Sequence, residues 1–110
     1  MPITCCVRNF KDLKVWERSH RLVPDVYDAT KRFLSEETFG LTAQLRRCCA
    51  SIPANVAEGC GRSGEAELAR FMLISMGSAS ELEYHLLLAR DLGYLSAPHY
   101  QELSQEAGEV

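Results

Sequence analysis

Four stretches of the chain repeat apolar residues at helical spacing. In the first, from about Leu13 to Leu34, Val15, Ser19, Leu22, Val26, Ala29 and Phe33 recur at intervals of four and three. Trp16, His20, Val23, Tyr27, Thr30 and Leu34 run beside them at the same intervals. Two adjacent stripes predict a helix with a face wide enough for two neighbours. Asp12 is placed to accept hydrogen bonds from the first-turn amides, and Pro24 should kink the helix near its middle. The second stretch, from about Leu41 to Glu58, carries Leu45, Cys48 or Cys49, Ile52 and Val56 as its apolar line. Thr42 is its predicted cap, Pro53 interrupts it, and Gly59 and Gly61 are predicted to end it.

The third stretch is the longest, from about Gly64 to Leu92. Leu68, Met72, Ser75, Ala79, Leu82, Leu86 and Ala89 hold the helical spacing, with Phe71, Ser78, His85 and Leu92 alongside. Ser63 is the predicted cap, and Glu65 and Glu67 suit the positive end of the helix dipole. At ~1.5 Å per residue this helix spans roughly 43 Å. Its centre, Ser75-Met76-Gly77-Ser78-Ala79-Ser80, is small enough for another helix backbone to approach closely. Gly93 should end it. The fourth begins near Ser96, accepts Pro98 in its first turn, and continues through Tyr100, Leu103, Ala107 and Val110.

No segment shows useful β alternation. The prediction is an all-α, antiparallel up-down-up-down four-helix bundle with a short fourth helix. It forms one domain over residues 1–110, with residues 1–11 read as a flexible N-terminal segment. The apolar faces of the three long helices exceed what the short fourth can cover. Copies of the chain are therefore expected to cover one another.

Composition sharpens this. With 46% hydrophobic and 25% charged residues, the chain is ordinary globular material. Charge is segregated: residues 1–34 carry +3, residues 35–64 carry zero and residues 65–110 carry −6, for a net −3. An acidic balance argues against a dedicated non-specific nucleic-acid binder. There is no signal-peptide core and no span of ~20 apolar residues, so a cytoplasmic location is expected. Cys5, Cys6, Cys48, Cys49 and Cys60 form neither a disulfide framework nor a zinc pattern, and are read as reduced thiols.

The sequence lacks a phosphate-binding loop, a nucleophile elbow and paired Glu-x-x-His motifs. No catalytic residue, cofactor or metal is expected. His20 and His85 fall on apolar stripes and are placed to meet in the core. Two polar patterns remain. Arg8, Lys11, Lys14, Arg18 and Arg21, together with Lys31 and Arg32, are placed to make a basic stripe on the outside of the first helix, a candidate phosphate contact that Arg46 or Arg47 of the second helix would extend. Asp12, Glu17, Asp25 and Asp28 interleave with it. On the second helix Arg47, Ser51, Asn55 and Glu58 share one face. Arg47 and Glu58 are eleven residues apart, about 16 Å along the axis. Each must find its partner elsewhere, on the next helix or across a subunit interface.

Several segments carry a resemblance: Phe10 to Trp16, Leu41 to Arg47, Ser51-Ile-Pro-Ala-Asn-Val-Ala-Glu-Gly59, Gly77-Ser78 followed by Glu81-Leu82-Glu83, and Leu92 to Leu95. Together they resemble the "four helix bundle protein" family, also described as the ribosomal RNA intervening-sequence type. The resemblance covers roughly residues 10 to 103 and implies an antiparallel bundle assembling as a homopentameric ring. Some family members are encoded in insertions within large-subunit ribosomal RNA genes. A related branch comprises basic accessory proteins of diversity-generating retroelements, which bind nucleic acid and partner a reverse transcriptase. The family carries no established enzymatic activity. This chain departs in being acidic and in ending its fourth helix early. The matching motif positions, candidates for interface or structural roles, are Trp16, Gln44, Arg47, Ser51, Asn55, Glu58 and Gly59. The expected function is a non-enzymatic, homo-oligomeric interaction or scaffold protein whose first partner is itself. The alternative is an RNA- or DNA-binding accessory protein using the basic stripe; an unidentified protein partner is also open.

Overall fold

A computed structural model describes residues 9–109. Four helices carry the fold: α1 (Lys14–Thr30), α2 (Leu41–Gly61), α3 (Glu65–Asp91) and α4 (Ala97–Gly108). No strand occurs among the described residues. Contacts between α2 and α3 run in opposite order along the two helices: Arg47 meets Glu81, Ser51 meets Ser78, Ile52 meets Ser75, and Gly59 faces Phe71. The pair is therefore antiparallel. Across α1 and α4, Arg18 reaches Glu109 while Asp28 lies with His99 and Glu102, again in opposite order.

α2 is the central helix. Its buried set (Leu45, Cys48, Cys49, Ile52, Val56 and Cys60 among others) occupies a wide arc, because α1 packs on one side and α3 on the other. Both Cys48 and Cys49 are consumed by this arc, and burial pushes their thiols up to about 11 and about 12. Of the two apolar stripes on α1, the fold buries Ser19, Leu22, Val26 and Ala29, continued by Phe33 beyond the helix. The neighbouring stripe stays at the boundary: Trp16 and Val23 are partly buried, while His20, Tyr27 and Leu34 are exposed. α3 contributes Phe71, Ser75, Leu82, Leu86 and Ala89, and α4 closes the core with Leu103 and Ala107. The molecule extends 53 × 24 × 18 Å with a radius of gyration of 15.3 Å. A compact fold of this length would measure about 13 Å. The core is accordingly a thin layer along a rod.

Helix ends depart from the predicted caps. Residues 10–12 form a 3₁₀ turn capped by the Asn9 side chain, so order begins before residue 12; Met1 to Arg8 of the predicted N-terminal segment lie outside the described residues. This turn, not an Asp12 side chain, leads into α1, whose N-cap is Leu13. α1 stops at Thr30 rather than Leu34. There the Thr30 hydroxyl donates to the Val26 carbonyl at 2.9 Å, and Phe33 turns inward to stack on Tyr94 at 5.1 Å. α2 is capped from the connection before it, not by the buried Thr42: a Glu37 carboxylate oxygen accepts from the Leu41 amide at 3.2 Å. A carboxylate at that end complements the helix dipole. α2 runs through Gly59 and ends at Gly61, as predicted for the second glycine, although neither adopts the left-handed conformation and the extended Arg62 is the C-cap. α3 enters through Gly64 at φ 90°, ψ 153°, a region closed to other residues, so Ser63 cannot serve as its cap. Gly93, at φ 86°, ends α3 as predicted, and the Ser96 hydroxyl caps α4 by accepting from the His99 amide at 3.2 Å. Pro24 and Pro53 are held inside α1 and α2 without ending either.

Candidate interaction surface

The polar stripe of α2 lies against α3 as a hydrogen-bonded seam. One Arg47 Nη donates to Gln44 Oε1 at 2.6 Å and to Glu81 Oε2 at 2.7 Å. Glu81 also meets His85 Nε2 at 3.3 Å. Partial burial raises the Glu81 carboxyl, but the hydrogen bonds and charges of Arg47 and His85 outweigh it and hold the group below its ordinary range. One turn along, Ser51 Oγ pairs with Ser78 Oγ at 2.7 Å. Asn55 Nδ2 donates back to the Ser51 carbonyl at 2.8 Å and its hydroxyl at 3.0 Å. Beneath them Ser75 Oγ donates to the Ile52 carbonyl at 2.9 Å. The seam therefore fixes the register between α2 and α3 within one chain.

Arg47 and Glu58, for which a partner across a subunit interface was one expectation, both find intrachain partners. Arg47 pairs with Glu81, and Glu58 takes Arg62 at 3.0 Å. At Gly59 the two helices approach closely: a Cβ there would stand 2.9 Å from Phe71 Cβ and 3.2 Å from Leu68 Cδ1. Trp16 lies apart from the seam, edge-on to Phe10 at 5.0 Å and stacked on His20 at 4.7 Å. His20 is exposed on α1, while His85 is bound to the seam, so the predicted meeting of the two in the core does not occur.

The basic stripe is exposed but interleaved with acids. Lys14, Arg18 and Arg21 share one side of α1 with Asp25 and Asp28, and that side borders α4. Arg18 and Arg21 line a shallow cleft with Glu106 and Glu109, and Arg18 donates to the Glu109 carbonyl at 3.3 Å. Arg21 also pairs with Glu17 at 3.5 Å. Lys11 and Lys14 share a hollow with Asp12 and Glu17. Arg46 is removed from the stripe altogether: its Nε donates to Thr30 Oγ1 at 2.8 Å and its guanidinium lies over the Tyr27 ring. Arg8 lies outside the described residues.

The outer side of α3 is one region the fold leaves uncovered; apart from it, Phe39 before α2 is 94% exposed. Leu73 is 66%, Met76 65% and Tyr84 58% exposed. Between them, Gly77 and Ser80 are small and also exposed. A Cβ built on Gly77 meets nothing within 4 Å. Where this face turns toward α1, Val15, Ile52, Met72, Ser75, Met76 and Ala79 line an apolar groove of about 380 Å³. The sequence marked the small centre of α3. It did not mark Leu73 and Tyr84, which a 4-3-4 spacing through Gly77 and Ser80 would have found.

Among the described residues, no group of three or more His, Cys, Asp or Glu side chains is placed to hold a metal ion. Among the described residues no helix is long and apolar enough to cross a membrane. A search of curated proteins returns no match. The family model described as 23S rRNA-intervening sequence protein, by contrast, matches residues 11–110. With nearly its whole length so matched, the chain belongs to the 23S rRNA-intervening sequence protein family.

Proposed function

We propose that this chain is a non-enzymatic interaction protein that assembles with copies of itself, as a pentameric ring, through the outer face of α3. The observation that supports this most is the pairing of an unpacked glycine with large exposed apolar neighbours. Gly77 stands in the middle of a 27-residue helix with open space where a Cβ would point, flanked by Leu73, Met76 and Tyr84. Within one chain such a glycine costs about 1 kcal/mol against alanine and returns nothing. Against a second helix it permits close approach, and the flanking apolar side chains then leave water. Over the described residues, α4 and the rest of the chain leave Leu73, Met76 and Tyr84 of α3 exposed. Sedimentation equilibrium on the purified chain tests the reading. A single species of pentamer mass is expected; a folded monomer at tens of micromolar overturns it.

The alternative, a nucleic-acid-binding accessory role, loses support from the position of the basic residues. Most of them sit beside acids that would repel phosphate. Filter binding over a salt series is expected to show no retention of RNA or single-stranded DNA even near about 50 mM salt. Tight binding that falls log-linearly with salt would restore the alternative.

A further inference from the structure

The helix α4 joins the core through Leu103 and Ala107, yet it carries no Lys or Arg between Ala97 and Glu109. Its polar side presents Glu102 and Glu106 to Asp25 and Asp28 of α1, with His99 at the edge, around a hollow of about 160 Å³. Glu106 is partly buried there and faces Asp25 across the hollow. We propose that Glu106, facing Asp25 across this hollow, is a proton-operated latch that holds α4 against α1 while it keeps its proton and releases the helix once it ionises.

Two carboxylates in contact cannot both carry charge cheaply. One retained proton turns repulsion into a hydrogen bond. The groups around Glu106 set the balance. On α4 itself Glu102 and Glu109 add negative charge, and His99 shares the hollow. On α1, Asp25 and Asp28 oppose it, while Arg18 and Arg21 flank the far end of the contact. On α2 the nearest titratable group is the Cys49 thiol, kept neutral by burial. Burial, the Asp25 hydrogen bond and the charges of Asp25, Glu102 and Glu109 together lift the Glu106 carboxyl from 4.5 to about 7. The folded state thus binds this proton more tightly than the unfolded chain does. The stability it contributes is full below the ordinary carboxylate value and is lost as pH rises through about 7. Release would uncover Leu103 and Ala107 together with the core they cover, so the device is separate from the assembly face on α3.

Amide hydrogen exchange on the whole chain, corrected for intrinsic rates, tests this. Protection of the amides from Leu103 to Gly108 should fall roughly tenfold between about pH 5.5 and pH 8, with α2 core amides unchanged. Glu106→Gln should flatten the α4 profile. A flat wild-type profile, or a slope that survives Glu106→Gln, overturns the latch. If circular dichroism shows Glu106→Gln unfolded, Asp25→Asn decides the matter: a flattened profile supports the pair and a retained slope overturns it.

Discussion

Two helical glycines, Gly59 and Gly77, meet opposite surroundings, since a Cβ on Gly77 would stand in open space. Gly59 is buried where α2 meets α3, and a methyl group there would press on the Phe71 Cβ and a Leu68 methyl at 2.9 and 3.2 Å. The first of these is a near-backbone atom that cannot swing away. Gly59→Ala gains helix propensity of up to ~1 kcal/mol but incurs overpacking of ~1–3 kcal/mol. The expected net effect is a lower urea midpoint at unchanged slope; a rise would mean that α3 shifts freely against α2. Arg47, by contrast, looks important by its contacts and should matter less. Its side chain is 59% exposed, and such pairs contribute less than about 1 kcal/mol. Arg47→Ala should move the same midpoint by less than Gly59→Ala does. Its contribution is to register, since the Ser51–Ser78 pair alone leaves the α2–α3 alignment held over a single turn.

At the scale of elements, α4 depends on its cap more than the long helices do on theirs. Twelve residues form a marginal helix on their own. The Ser96 hydroxyl satisfies one of the first-turn amides that the helix cannot satisfy itself. Ser96→Ala should cost about 1 kcal/mol, read as a roughly fivefold faster exchange confined to α4 amides. Unfolding throughout the molecule would instead mean that α4 and the core open as one unit. The capping by the Ser96 hydroxyl emerges from the fold, whereas the start of α4 near Ser96 was legible in sequence because Pro98 fits a helix's first turn. So were the four helices and most of the buried stripe on α1, since the spacing of Leu22, Val26 and Ala29 is set by helix geometry alone. The caps of α2 and α3 were not legible. Glu37 acts from a turn that tertiary contact with Tyr94 shapes, the phenol donating to its carboxylate at 3.0 Å. Gly64 reveals its role only through a backbone angle. The polar stripe of Arg47, Ser51 and Asn55 was visible as a stripe, but Glu81 and Ser78 as its partners depend on the register of two helices, which no single helix encodes. For the same reason the facing of Asp25 and Glu106 could not be read from residues 81 positions apart.

At the scale of the whole molecule, a thin core and an uncovered α3 belong together. A rod 53 Å long and 18 Å across in its narrowest dimension cannot enclose both sides of its longest helix. Residues that benefit one chain and residues that benefit an assembly can then be told apart by substitution. Gly77→Leu is the sharpest case. The chain itself offers open space at that position, so the leucine meets no intrachain obstacle and replaces a poor helix former with a good one. The isolated chain should keep its helix content and gain up to ~1 kcal/mol. A neighbouring helix resting on Gly77 would instead be pushed outward by a side chain it has no room for, losing contact along Leu73 and Tyr84 as well. The expected result is a folded chain whose association weakens at least tenfold, roughly 1.4 kcal/mol or more, by sedimentation. Leu73→Glu should act in the same direction by placing a charge in the contact. If both variants assemble as the wild type does, the outer face of α3 is not where copies meet, and the exposed Leu73, Met76 and Tyr84 are left without a role in assembly.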